Sequence, residues 1–242
     1  MIRLPRLDDD PGAPFPPADT ALREPDGLLA FGGDLSPQRL INAYRHGIFP
    51  WFSMGDPILW WSPDPRTVFD TGALHLPRRF RRQLRQCQWT IRVDDDFDVV
   101  VAACASVPRT GQGGTWILPE MQAAYGALHR LGHAHSVAVY DGDRLVGGIY
   151  GVDAGPAFCG ESMFSAESGG SKVALAALCR LLHAHGVPWL DAQMHTPHLA
   201  TLGARSMSRG DYLRALSRPR PAQLPTGPWT HLLTDTRAHD FT

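Results

Sequence analysis

Lysine is nearly absent. Lys172 is the only one, so arginine supplies almost all of the 23 basic side chains. A GC-rich coding bias accounts for the preference and leaves Lys172 alone in a glycine- and serine-rich stretch. Cysteine is scarce: the four residues Cys87, Cys104, Cys159 and Cys179 are widely spaced, with no C-x-x-C pair. That spacing indicates neither a zinc ribbon nor a disulfide framework, and the four read as buried thiols. No apolar run approaches the roughly 20 residues that span a bilayer, so no membrane partner is expected. Met1 to Asp10 is polar and acidic and does not read as a signal peptide, so a soluble cytoplasmic protein is expected. An excess of one charge is also missing. A formal net charge of −1 argues against a strongly basic nucleic-acid binder but leaves room for a local basic patch. No internal repeat or low-complexity run is present.

What remains is a chain of 242 residues, 43% hydrophobic and 19% charged. It is neither disordered nor fibrous, and it can bury a sizeable core in one large or two small domains. Pro11, Pro14, Pro16 and Pro17 mark an extended arm. Ser36 before Pro37 reads as a helix N-cap, and Gly47 as the stop of that short helix. An aromatic, proline-rich block follows, from Ile48 to Arg66. Residues 1–65 are therefore expected to form a small N-terminal domain, and residues 66–242 a second domain.

The second part alternates between strand and helix patterns. A basic helix is expected at Arg78 to Gln86, a strand at Trp89 to Val93 and a helix at Asp96 to Ser106. Pro119 to Leu131 has helical apolar spacing. His135 to Tyr140 and Leu145 to Tyr150 flank Asp141-Gly142-Asp143, a hairpin signal, and Ala157 to Glu161 reads as a third strand. Lys172 to His185 is an apolar helix, Trp189 to Gln193 a buried strand, and Thr196 to Leu202 and Arg209 to Leu216 short helices. This α/β (α+β) order matches an N-acetyltransferase-like (GNAT-type) architecture, as an analogy of fold alone.

Four features could carry chemistry. Trp51, Phe52, Trp60 and Trp61 either pack a small core or stack on an unpaired base. Arg78, Arg79, Arg81, Arg82 and Arg85 form a run without an acid. It is either a solvated helix face or the footprint of phosphate binding. Glu161, among apolar and sulfur-bearing neighbours, must be hydrogen-bonded or have a raised pKa. It either caps the Ser168 to Lys172 turn or forms the floor of an apolar pocket. Asp191 and Gln193 share one side of a strand by period 2. They are either a structural hydrogen-bond pair or a site at the strand's carboxyl end. His133 with His135, and His183 with His185, lack further ligands at metal-site spacing, so no metal is expected. Gln112-Gly113-Gly114-Thr115-Trp116 reads as a substrate loop or a plain turn. Arg109 to Gly114 lacks the spacing of an acetyl-CoA loop.

A series of longer blocks runs along the chain, first Gly27-Leu28-Leu29-Ala30-Phe31-Gly32-Gly33-Asp34-Leu35, Gly47-Ile48-Phe49-Pro50-Trp51-Phe52 and Trp60-Trp61-Ser62-Pro63-Asp64-Pro65-Arg66. It continues through Gly114-Thr115-Trp116-Ile117, Leu131-Gly132-His133-Ala134-His135-Ser136 and Leu145-Val146-Gly147-Gly148-Ile149-Tyr150-Gly151. It ends with Cys159-Gly160-Glu161-Ser162-Met163-Phe164-Ser165, Ser171-Lys172, Asp191-Ala192-Gln193, His198-Leu199 and Leu202-Gly203-Ala204. Taken in order, these blocks resemble the leucyl/phenylalanyl-tRNA–protein transferase family over about residues 15–215.

The resemblance implies an aminoacyltransferase that moves Leu or Phe from aminoacyl-tRNA to the N-terminal Arg or Lys of acceptor proteins, marking them for N-degron degradation. It implies no cofactor, because the charged tRNA is the activated donor. It assigns Asp191 and Gln193 to catalysis, Asp191 orienting and partly deprotonating the amine and Gln193 holding a reacting carbonyl or amide. Ile149, Glu161, Ser162 and Met163 would form the donor side-chain pocket, with Ile149 standing where the family pattern has methionine. Trp51 and Trp116 would stack on the terminal adenosine, with Tyr44 and Tyr125 as neighbours. The five arginines from Arg78 to Arg85 would hold tRNA phosphates. Ala192 removes any need for a covalent cysteine step. A monomer is expected. The tail from Ser217 matches nothing in the family pattern, and its prolines read as a strap over the surface. The rival readings are an acetyl-CoA-dependent N-acetyltransferase and a non-catalytic RNA-binding module.

Overall fold

The structure, a computed structural model, describes residues 4–107, 115–221 and 224–241. In chain order the first strands are β1 (Arg6–Leu7), β2 (Leu28–Gly32), β3 (Phe49–Pro50) and β4 (Leu59–Trp61), with α1 (Pro37–Arg45) between β2 and β3. They form a four-stranded sheet in the order β1-β2-β4-β3. Ser36 caps α1 as expected, its side chain accepting from the Arg39 N–H at 3.4 Å. Gly47 then turns the chain with φ 71°. A Cβ there would lie 2.8 Å from Leu213, so the close approach suits glycine.

The next elements are β5 (Arg66–Asp70), α2 (Arg78–Leu84), β6 (Thr90–Val93), α3 (Phe97–Ser106), α4 (Pro119–Arg130), β7 (Ala134–Asp141), β8 (Arg144–Asp153) and β9 (Ala157–Ser165). They are followed by α5 (Gly170–Ala184), β10 (Trp189–Gln193), α6 (Pro197–Thr201), β11 (Arg205–Met207) and α7 (Arg209–Leu216). The strands from β5 onward make a mixed seven-stranded sheet, β11-β5-β10-β9-β8-β7-β6. The expected order of helices and strands is observed, and the division between the two sheets falls between Trp61 and Arg66. The strands β1 to β5 and β11 were not among the expected elements.

The large sheet is covered on both faces. Phe97, Val100 and Val101 of α3 and Met121, Tyr125 and Leu128 of α4 share one buried cluster with Leu40, Tyr44 and Trp60 of the N-terminal unit. On the other face, α5 contributes Val173 to Leu182 to a second cluster, with Phe80 and Leu84 of α2. The tail belongs to this second core. Trp229 is fully buried, and its ring stacks on His135 at 3.6 Å between centroids. The Trp229 backbone N–H donates to Asp94 Oδ2 at 2.8 Å. The reading of the tail as a surface strap is thus corrected: one indole anchors it, because full burial of so large an apolar ring outweighs the surrounding prolines.

The sheet's pairing also creates an opening. Parallel β9 and β10 pair as far as Cys159 with Asp191, and no further. Each strand bulges at that point. Gly151 opposes Gly160 and Tyr150 opposes Ser162, leaving Glu161 as the extra residue of β9. On β10 the register shifts between Asp191 and Gln193, and Gln193 takes φ 61°. Bulges re-aim side chains, and they do so here on both sides of the gap.

Candidate active site

Asp191 is 0% exposed and its acceptor positions are occupied. Arg66 Nε donates to Oδ1 at 2.9 Å and Nη2 to Oδ2 at 2.8 Å. The Tyr212 hydroxyl donates to Oδ2 at 2.9 Å, and the Gln193 N–H to Oδ1 at 2.8 Å. Arg66 is itself held from behind, Nη1 donating to the Gly47 carbonyl at 2.9 Å. The guanidinium lies between the rings of Phe49 and Tyr212, 4.9 and 4.7 Å from their centroids.

Gln193 turns the other way. Its Nε2 donates to Glu161 Oε1 at 2.7 Å, which bridges the opening between β9 and β10. Strict alternation along β10 fails because the bulge inserts a left-handed residue. The two side chains therefore part, Asp191 toward Arg66 and Tyr212, Gln193 toward Glu161. Among the described residues, no hydrogen bond reaches Gln193 Oε1.

Glu161 is the hub. The Tyr125 hydroxyl donates to Oε2 at 2.6 Å, and the Tyr44 hydroxyl, 2.9 Å from that of Tyr125, completes a chain of donors. Burial pushes the Glu161 carboxyl up to about 7, and the hydrogen bonds from the tyrosines offset only part of that rise. Burial, and next the Glu161 charge, raise both phenols well above their ordinary value, so they remain donors. Glu161 does not cap the turn before α5; there Ser165 Oγ accepts from the Ser171 N–H at 2.8 Å.

Of the expected residues, Ile149, Glu161, Ser162 and Met163 meet in one cavity of about 400 Å³, joined by Gln193, Leu190 and Leu175. Trp51 and Trp116 meet in another of about 970 Å³, with Met54 and Gln122 on its walls. Helix α4 links the two, since Gln122 faces the larger recess and Tyr125, one turn on, reaches Glu161. The aromatic block divides by role. Trp60 is fully buried and Trp61 Nε1 donates to the Trp51 carbonyl at 2.6 Å, while Trp51 itself lines the recess.

Tyr44 and Tyr125 present no exposed ring face to a base. Both rings are in the core and their hydroxyls serve Glu161. The arginines Arg78, Arg79, Arg81, Arg82 and Arg85 line one exposed recess of about 460 Å³ and, among the described residues, form no ion pair. The loop Gln112-Gly113-Gly114 and the stretch Arg109 to Gly114 lie outside the described residues.

Arg66 and Tyr212 escaped the sequence reading of the site. Arg66 carried one signal: an arginine opening the apolar run Thr67-Val68-Phe69 needs a buried partner. Tyr212 carried none beyond its place on an amphipathic helix.

Fold and site define a two-sheet α+β protein with a carboxylate-walled apolar cavity beside a tryptophan-lined recess. A model described as leucyl/phenylalanyl-tRNA protein transferase matches residues 68–217, and the model of that family's N-terminal domain matches residues 33–64. A leucyl/phenylalanyl-tRNA–protein transferase of Xanthomonas axonopodis pv. citri (strain 306) is 66% identical over 226 residues, covering 93% of this chain and 90% of the relative. One from Xylella fastidiosa (strain M23) is 59% identical over 212 residues, covering 88% and 87%. Among solved structures, a GCN5-related N-acetyltransferase from Kribbella flavida is similar at 12% identity and a TM-score of 0.39, over 67% of this chain and 58% of that one. The chain belongs to the leucyl/phenylalanyl-tRNA–protein transferase family. Among the described residues, no helix is long and apolar enough to cross a membrane.

Proposed function

We propose that the chain transfers Leu or Phe from aminoacyl-tRNA to the N-terminal Arg or Lys of acceptor proteins, in the cytoplasm, and so marks them for N-degron degradation. The observation that carries the reading is Glu161, shared between the Tyr125 hydroxyl and the Gln193 amide at the wall of an apolar cavity of about 400 Å³, with room for a Leu or Phe side chain.

The donor ester is already activated, and an α-amino group with pKa about 7.7–8.0 is partly neutral near pH 7. The task is to place the amine against the ester carbonyl and to ease proton transfer. The cavity of Ile149, Ser162 and Met163 takes the Leu or Phe side chain. Trp51 and Trp116 stack on the terminal adenosine, and the arginines of α2 hold phosphates, which makes binding salt-dependent.

Gln193 Oε1 accepts from the attacking amine, since the other end of its amide is fixed on Glu161. The Glu161 carboxyl, near 7, exchanges protons in the amine's own range. Asp191 keeps its place in the reaction in another form. Its oxygens are occupied by Arg66, Tyr212 and the Gln193 N–H, so it acts through Gln193 as a positioning residue.

The test uses labelled leucyl-tRNA with two peptides, one beginning with Arg and one with Ala, and acetyl-CoA as a parallel donor. Label on the Arg peptide alone is expected. Acetylation, or no transfer from leucyl-tRNA, would overturn the reading.

A further inference from the structure

Helix α2 carries the arginine face, yet little in its own sequence keeps it helical. It has seven residues, Pro77 precedes it, and no side chain caps its N-terminus. Arg78 and Arg79 sit in its first turn, where the helix dipole disfavours cations, and no acid offsets them. An isolated helix this short is unstable in water. Only Phe80 and Leu84 tie it to the core.

The end of the chain meets this helix. Past Trp229, the chain runs beside β6, the edge strand of the large sheet: the Ile91 N–H donates to the Thr236 carbonyl at 3.1 Å and the Ala238 N–H to the Trp89 carbonyl at 2.9 Å. The 3-10 turn Ala238–Phe241 then packs on both α2 and α5, with Ala238 fully buried. Arg237 Nη1 donates to Gln88 Oε1 at 2.9 Å, and His239 Nδ1 lies 3.3 Å from the Cys87 carbonyl, both just beyond α2. On the far side, the Arg180 guanidinium sits 5.6 Å from the centre of the Phe241 ring. The matched family span ends at residue 217, so this contact lies outside it.

We infer that the segment from Thr236 to Phe241 is a clamp that holds the arginine helix in its phosphate-binding form, and so sets affinity for aminoacyl-tRNA without touching it. The inference rests on the proposed reading of α2 as a phosphate site. Trp229 anchors the tail separately, through His135 and Asp94, so Phe241→Ala with Arg180→Ala removes clamp contacts without removing that anchor.

The test compares the full-length chain with Phe241→Ala combined with Arg180→Ala, with Ala238→Glu, and with Arg81→Ala combined with Arg82→Ala. Amide exchange of α2 is measured together with KM for leucyl-tRNA across salt, KM for an Arg peptide, kcat and Tm. The clamp variants should speed exchange in α2 and raise the tRNA KM about fivefold to tenfold with a shallower salt dependence. Their kcat and peptide KM should hold, and they should add little to the loss caused by Arg81→Ala with Arg82→Ala. Unchanged α2 exchange or tRNA KM would overturn the inference. So would an equal loss in the peptide KM and kcat, which marks general destabilisation. If Arg81→Ala with Arg82→Ala leaves the tRNA KM and its salt dependence unmoved, the phosphate reading falls and the clamp with it. If those variants weaken binding and the clamp variants do not, the clamp alone falls.

Discussion

Arg66 and Asp191 lie 125 positions apart in the chain and meet in a doubly hydrogen-bonded pair inside the core, on neighbouring antiparallel strands. The pair joins three parts of the fold: β5, the bulge of β10 and, through Tyr212, helix α7. A buried ion pair is costly to desolvate and gives no assurance of net stability. What this one does visibly is fix Asp191 Oδ1 under the N–H of Gln193, a residue in the left-handed region that β-strand backbone does not favour.

The first prediction separates charge from position. Arg66→Ala strands a buried carboxylate and should lower stability by about 3–5 kcal/mol. Asp191→Asn keeps an oxygen for the Gln193 N–H, whereas Asp191→Ala keeps none. The asparagine variant should therefore retain much more of kcat than the alanine variant, with aminoacyl-tRNA binding preserved in both. Equal loss of kcat in the two would show that the charge itself is required.

A second prediction concerns the donor pocket. Ile149 is buried and lines the cavity of about 400 Å³ together with Glu161 and its cross-strand partner Met163. Ile149→Val removes one methylene at a stability cost of about 0.5–1.5 kcal/mol. The wider pocket should favour the larger donor, moving the ratio of kcat/KM for Phe over Leu upward within the roughly 1–3 kcal/mol that one methylene commands. Competition between the two charged tRNAs measures it, and an unchanged ratio would take Ile149 out of the pocket.

The aromatic block gives a third. Trp51→Ala and Trp116→Ala should raise KM for aminoacyl-tRNA by the roughly 1–3 kcal/mol that a stacked base is worth, with little change in Tm. Trp60→Ala should instead cost about 3–5 kcal/mol of stability, since its ring is in the core and its Nε1 donates to the Gly32 carbonyl. Reversed phenotypes would exchange the roles assigned to these tryptophans.

Helical spacing and caps made the Pro37 helix start legible, and with it most of the helices beyond Arg66, through to Arg209–Leu216. Pocket residues were legible where an acid interrupts an apolar strand, as at Glu161. The rest was hidden for physical reasons. β5 opens with a charged residue after Pro65, so its apolar pattern is short, and its partner lies on a strand far away in sequence. The bulges at Glu161 and Gln193 break the period of 2 that strand reading relies on. Trp229 sits among prolines that signal a surface segment, and its partners His135, Phe158 and Asp94, all distant in sequence, are what bury the tail.

The last prediction follows from Glu161. Its carboxyl titrates near 7 in the folded chain against an ordinary 4.5, because burial disfavours the charged form. Between those two values the folded state binds more protons than the unfolded state, so stability falls as pH rises through that window and levels off above about 7. Integrated across it, the loss is about 3 kcal/mol. Glu161→Gln removes the ionisation. The new amide can accept from the Tyr125 hydroxyl and donate to Gln193 Oε1 once the Gln193 amide turns over. The variant should therefore gain on the parent chain at pH 8 and match it near pH 4, as followed by urea unfolding. Its transfer rate should fall and lose the inflection near pH 7. A variant whose stability tracks the parent at every pH would place the titration elsewhere and detach Glu161 from the proton step.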